Sequence, residues 1–410
     1  MSFFGAARAA LLGKKRLVRS AGTELSGAGS SGARSSGFVV VALIGVALLA
    51  ALLPSCSGNK KPPVFGQRQN AYVTLPSQGS VLLLQINTLT GAITTAAATP
   101  QIAGTSPGGL ALLNKFLYVA NAQANTISLF NIASDGTLSQ NTAPTPAGGS
   151  GPHSVIVDPS GKYLLVTNTF SNNISVFSID SSSGAITPVA GSPFYANSGP
   201  GEILIPPSGD LVYVTNTGVG TVTGFTFSTS TGELTSVGAP YFSGAGASGL
   251  AVDNTGFFLY VANTSAPNNP PTSVGNISGF TINQTQGPTY GTLSPIAGSP
   301  FVSIAGQGPT ALVRSPNNLL FATTPGDTYS VWVFTIGANG ALAATINSPF
   351  SVASGGLFAL LDNSGSFFYI GSPTGIQGYT PEENTGQPDV ITGSPYSTDG
   401  TTPGQMVVAQ

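Results

Sequence analysis

Few side chains in this 410-residue sequence are able to carry acid–base, nucleophilic or metal chemistry. There is one histidine, His153, and one cysteine, Cys56. Charged residues make up only 6% of the chain, against about 25% in an average domain. A lone histidine excludes an imidazole cluster for zinc or iron. A lone cysteine excludes an intrachain disulfide, a thiolate zinc site and a C-x-x-C redox pair. The sequence contains no D-x-D-x-D calcium loop, and no G-x-S-x-G elbow stands between a strand and a helix. The pair Glu382-Glu383 falls in a loop before Gly386 and reads as solvated rather than as two carboxylates sharing acid–base work. That leaves His153, which follows Pro152 at the start of an apolar run.

The charge is unevenly spread. Residues 1–61 hold eight basic residues against Glu24, a net charge of +7. Residues 62–410 hold Arg68, Lys115, Lys162 and Arg314 against thirteen acids, a net charge of −9. Four scattered cations do not form the basic stripe that neutralises phosphates, so nucleic acid is excluded as a partner. Within the basic head, residues 38–53 form an apolar run of sixteen. This is shorter than the roughly 20 residues of a typical spanning helix. A basic segment before it and small residues after it give the layout of an export signal. Leu53-Pro54-Ser55-Cys56 resembles the bacterial lipoprotein signal, which implies lipidation of Cys56 and cleavage before it. An uncleaved anchor is the alternative. On either reading residues 1–56 export the chain and tether it to the membrane of the cell envelope, and residues 57–69 form a polar, proline-containing tether.

The rest of the chain is a repeat. Tyr118-Val119-Ala120-Asn121 returns as Leu165-Val166-Thr167-Asn168, Tyr213-Val214-Thr215-Asn216 and Tyr260-Val261-Ala262-Asn263. Weaker copies begin at Tyr72, Phe321 and Tyr369. The seven copies start 46, 47, 48, 47, 61 and 48 residues apart. A period in the forties marks a repeat architecture. Each unit opens on a proline (Pro107, Pro152, Pro200, Pro309) and an apolar run, then makes a turn such as Asp158-Pro159-Ser160-Gly161. The tetrapeptide is the second strand. An alternating segment such as Ile174 to Ile179 is the third, and a glycine turn leads to a short outer strand. Many units close on G-S-P-F or a variant, as at Gly191 to Phe194 and Gly298 to Phe301.

Four short strands per period, with turns rich in Gly, Pro, Asn and Asp, predict an all-β propeller over residues 70–410 with four-stranded blades and almost no helix. The first tetrapeptide lacks a preceding inner strand, and Pro403 to Gln410 supply one. The C-terminal strand is therefore expected to pair into the first blade and close a seven-bladed ring. The 61-residue step holds an inserted loop, Thr264 to Ser273, between the second and third strands of the fifth blade. The asparagines that end the tetrapeptides are expected to bond the backbone of the turn that follows.

These units, together with Asp158 to Tyr163 (D-P-S-G-K-Y), resemble the YVTN-type propellers and the seven-bladed lactonase family, which includes the 6-phosphogluconolactonases. The resemblance implies a site at the mouth of the central channel. It expects a proline-histidine pair on one inner strand, an arginine on the next, and a glutamate after the second strand of that later blade. Pro152-His153 match the first element. The next blade reads Gly199-Pro200-Gly201-Glu202, with glycine where arginine is expected, and Asn216-Thr217 stand where the glutamate is expected. Opening a lactone needs a base and stabilisation of the oxyanion. His153 and Glu202 are the catalytic candidates, as base and orienting carboxylate, and Arg314 falls in the middle of an inner strand. With the cations missing, the sequence favours a binding or scaffolding module for a protein or carbohydrate ligand, and lactone hydrolysis is the alternative. No cofactor and no metal is implied.

Overall fold

The computed structural model describes residues 68–96, 100–264, 275–304, 308–325, 330–346, 348–352, 356–381 and 388–409. The apolar run 38–53, Cys56 and most of the tether lie outside the described residues, as do most of the inserted loop of the fifth blade and the pair Glu382-Glu383.

The repeated tetrapeptide shows why the chain forms blades. In Phe116–Asn121 all six residues are buried, as they are in Tyr163–Asn168 and Leu211–Asn216. Side chains on a strand alternate between the two faces of its sheet. Tyr118 and Ala120 pack against Leu164 and Val166 of the following blade, while Leu117 and Val119 pack against Tyr72 and Val81 of the preceding one. Seven such apolar clusters fill the seven interfaces between neighbouring blades. A sheet buried on both faces leaves little room for charge, which accounts for the low charged fraction.

Each blade is an antiparallel meander running from the channel outwards. The third blade is representative: Pro152–Val157, Tyr163–Asn168, Asn173–Ile179 and Ile186–Pro188 pair in that order. Four strands in order make each blade, as expected, and six of the seven sheets add a short fifth piece off that path. In the third, fifth and sixth blades the G-S-P-F segment or its variant supplies it. In the third blade Phe194–Tyr195 pairs with Asn173 and Ile174, in line with the outer strand that pairs with Phe177 to Ile179. The outer edge is thus two collinear pieces. Ser192, at the join, accepts a hydrogen bond on its Oγ from the Val176 N–H at 2.9 Å, which satisfies a donor that neither piece reaches. Ser299, Ser348 and Ser394 do the same for Gly279, Val333 and Gly378.

The ring closes as expected. Met406–Val408 pairs antiparallel with Ala71 to Val73 and forms the innermost strand of the first blade. No described residue lies in a helix.

The tetrapeptide asparagines depart from the expectation. Asn168 Nδ2 donates to Asn173 Oδ1 and Ser175 Oγ, and Asn216 Nδ2 to Thr221 and Thr223, all on the third strand of the same blade. Buried polar groups seek partners, and here a side chain on the adjacent strand is nearer than the turn backbone. The repeated turn aspartates do bond their turns. Asp158 accepts from the backbone N–H groups of Ser160, Lys162 and Tyr163, and Asp253 and Asp362 repeat the pattern.

Candidate active site

The first residues of the inner strands lie at one end of the channel, here the upper end. In the second to fifth blades the pairing register shifts at this point, between Pro152 and Val155 in the third blade and between Pro200 and Ile203 in the fourth. An irregularity of this kind frees one or two residues from the ladder and re-aims their side chains. His153 and Glu202 are those residues in adjacent blades.

Both line one cavity of about 540 Å³ in the upper channel. Its wall is completed by Thr169, Thr217, Ser248, Thr310 and Gln405, with an apolar side made by Leu357, Phe358 and Met406. The volume lies within the usual range for small-molecule sites, about 300–1,000 Å³. The structure therefore brings the two sequence candidates together. Gly201 and Thr217, which occupy the expected arginine and glutamate positions, also line the cavity, so those two groups are absent from its wall. Arg314 lies at the far end of its inner strand Ala311–Arg314, where its guanidinium donates to the Ser315 carbonyl at 3.0 Å. It is outside the cavity, and no lysine or arginine is among the cavity's lining residues.

Glu202 has an unusual environment. Protein surrounds its carboxyl group on the channel wall, while the channel's own solvent still reaches part of the side chain. Burial pushes its pKa up to about 7, and the Leu250 N–H that it accepts from offsets only part of this. His153 projects into the channel and is exposed to channel solvent, yet the surrounding wall lowers its pKa by desolvation, with the Gly201 carbonyl beside the ring working in the opposite direction. At neutral pH the imidazole is therefore mainly neutral, while the carboxyl is poised to exchange a proton.

The remaining polar side chains were not singled out in the sequence, and their hydroxyl protons are committed. Thr169 donates to the Pro200 carbonyl at 2.8 Å and Thr217 to the Ala247 carbonyl at 2.8 Å. Ser248 donates to the Thr310 carbonyl at 3.1 Å, and Thr310 to the Gly356 carbonyl at 3.2 Å. Each of these bonds stitches one blade to the inner strand of the next. The sequence signal that finds such residues is register: each stands one to three places after a proline-type strand start, or just after a tetrapeptide.

A seven-bladed ring with a polar cavity at one end of its channel is the observation against which the similarities fall into place. The family model "Lactonase, 7-bladed beta-propeller" matches residues 63–195 and 188–288. The chain belongs to this seven-bladed lactonase family. A 6-phosphogluconolactonase of Formosa agariphila is 38% identical over 74 residues, which is 18% of this chain and 21% of that relative's length. The chain thus matches about a fifth of this curated relative. A structure described as a candidate 6-phosphogluconolactonase of Bacteroides uniformis superposes with a TM-score of 0.69 at 17% identity, covering 83% of this chain and 99% of the other. The periplasmic gluconolactonase of Pseudomonas aeruginosa gives a TM-score of 0.65 at 16% identity, covering 84% and 99%. At these identities the two structures show the shared propeller fold.

Proposed function

We propose that this lactonase-family propeller hydrolyses a lactone in the upper channel cavity, with Glu202 as general base. The observation that carries this reading is a carboxylate held near neutral pKa on an irregular inner strand facing a polar cavity. General bases work best with a pKa near the operating pH. The names of the relatives favour hydrolysis over a purely binding or scaffolding role. His153, in its neutral form and with a ring N–H toward Gly201, offers its other nitrogen as an acceptor for a substrate hydroxyl. The cavity wall offers no ammonium or guanidinium to a phosphate, so the substrate that fits is an uncharged sugar lactone rather than a phosphorylated one.

In the proposed reaction Glu202 removes a proton from a water molecule as its oxygen bonds to the lactone carbonyl carbon. The carbonyl π pair moves onto oxygen. Collapse of the tetrahedral intermediate breaks the bond to the ring oxygen, which takes the proton back from Glu202. The products are a hydroxy acid and the regenerated carboxylate.

Proton release by the full-length protein across neutral and phosphorylated sugar lactones tests this reading. The expected result is turnover on a neutral lactone that falls by about 10²-fold or more in Glu202→Gln, the size of a general-base contribution. Absence of turnover on every lactone would overturn it.

We also propose that the chain is exported and held at the cell envelope through Cys56 or the apolar segment 38–53. The basic head, the apolar run and the lone cysteine after it support this. Incorporation of radiolabelled fatty acid into the wild-type chain, absent from Cys56→Ser, is the expected outcome for lipidation.

A further inference from the structure

Resting on the hydrolase reading above, we infer that the side-chain amide of Gln405 is the group that polarises the substrate carbonyl and holds the oxyanion. The inference comes from accounting for every side-chain donor in the cavity. The hydroxyls of Thr169, Thr217, Ser248 and Thr310 already donate to backbone carbonyls, so toward a ligand they present lone pairs. The Gly201 carbonyl stands beside the imidazole of His153 as an acceptor for its ring N–H. Glu202, as carboxylate, accepts only. Gln405 lines the same cavity, and among the described residues no protein group pairs with its side-chain amide. It brings two N–H donors into a wall of acceptors.

The position of Gln405 supports the assignment. The backbone N–H of Gln405 bonds to Thr74 Oγ1 at 2.9 Å. The backbone N–H of Glu202 makes the equivalent bond, also 2.9 Å, to Thr215 Oγ1. Thr74 and Thr215 are the third residues of their tetrapeptides, so Gln405 and Glu202 occupy the same level of the channel. They stand three blades apart in a ring of seven, on opposite sides of the cavity. A lactone lying between them has its attacking water at Glu202 and its carbonyl oxygen at the Gln405 amide. The oxyanion then forms against a neutral donor, which suits a cavity without lysine or arginine.

Two measurements on the full-length protein test this. In the first, Gln405→Met, which keeps the length of the side chain and removes the donors, is assayed beside the wild type on the neutral lactone that the wild type turns over. The expected result is a fall in kcat of about 10²-fold, the loss seen when one oxyanion donor is removed. An unchanged kcat in Gln405→Met would overturn the assignment while leaving the hydrolase reading intact. A wild type inactive on all lactones would instead remove the reading on which the assignment rests. The second measurement needs no turnover and guards against a misfolded variant. Calorimetric binding of the sugar lactam, which keeps the carbonyl, is compared with binding of the cyclic ether that lacks it. The variant is expected to bind the lactam about tenfold more weakly and the ether unchanged. Equal weakening of both, or of neither, would overturn the assignment.

Discussion

At the scale of the residue, the proposed role of Glu202 ties activity and stability together in opposite directions. Its carboxyl ionises near pH 7 in the folded chain and near 4.5 when free. Among the described residues it is the only acid lining the cavity, with His153 as its only titratable neighbour there, and as the proposed base it must be ionised to act. Lactone hydrolysis, corrected for spontaneous opening, is therefore expected to rise with pH through about 7 and level off above it. A profile flat from pH 5 to 8 would show that another group is the base. The stability argument runs the other way. A raised folded-state pKa means that the favourable protonated form is complete below about 4.5 and is lost as pH climbs through 7. Glu202→Gln should therefore match the wild type at pH 4 and exceed it at pH 8. The gain should be about 1–3 kcal/mol, since one pKa unit corresponds to about 1.4 kcal/mol and channel water screens part of the shift. Denaturant melts at the two pH values check this. His153 and Glu202 were legible in the sequence because each follows a strand-opening proline. Gln405 was not, because its chemistry depends on two facts that no spacing reveals: ring closure places it level with Glu202, and its hydroxyl-bearing neighbours have spent their protons.

At the scale of the element, the repeat was legible because its strands are short, evenly spaced and buried on both faces. The reasons for individual letters were not. The tetrapeptide tyrosine is such a letter. Tyr72, Tyr118, Tyr213, Tyr260 and Tyr369 are fully buried, and each donates its hydroxyl to a glycine carbonyl of the following blade at 2.7–2.8 Å. The accepting glycines, Gly136, Gly184, Gly291, Gly340 and Gly91, all have φ between 70° and 88° and precede the outer strand. A Cβ at Gly184 would come within 2.7 Å of the Phe116 ring, so packing against the neighbouring blade and the left-handed backbone both require glycine there. The outer-strand turn of one blade is thus fixed by the second strand of another, a long-range constraint that local pattern reading does not register. Tyr118→Phe leaves the Gly184 carbonyl buried and unpaired and is expected to lower stability by about 1–2 kcal/mol. Ser192→Ala orphans the Val176 N–H and should cost a similar amount. Urea midpoints at constant m-value would report both, and a null effect in the pair would mean that water replaces the lost partners.

At the scale of the whole molecule, closure of the ring by Met406–Val408 is the device on which fold and site both depend. This strand pairs with Ala71, Tyr72 and Val73, and its Met406 and Val408 side chains enter the cluster between the seventh and first blades. Burying two such side chains contributes about 1.5–3 kcal/mol each. Without them the inner edge of Arg68–Leu75 is an unpaired strand, and such edges template association with other chains. A chain ending at Thr402 is expected to unfold at a lower urea midpoint, to run as aggregate on size exclusion at micromolar concentration, and to lose lactone hydrolysis because Gln405 goes with the strand. A synthetic peptide of residues 403–410 should add back as a strand and restore both properties. The same peptide with Gln405→Met should restore solubility and the midpoint without restoring turnover. That separation distinguishes the closing strand as a structural clasp from the closing strand as half of the site. If neither peptide rescues the shortened chain, the ring forms only with its closing strand covalently attached; if both restore turnover equally, Gln405 takes no part in the chemistry.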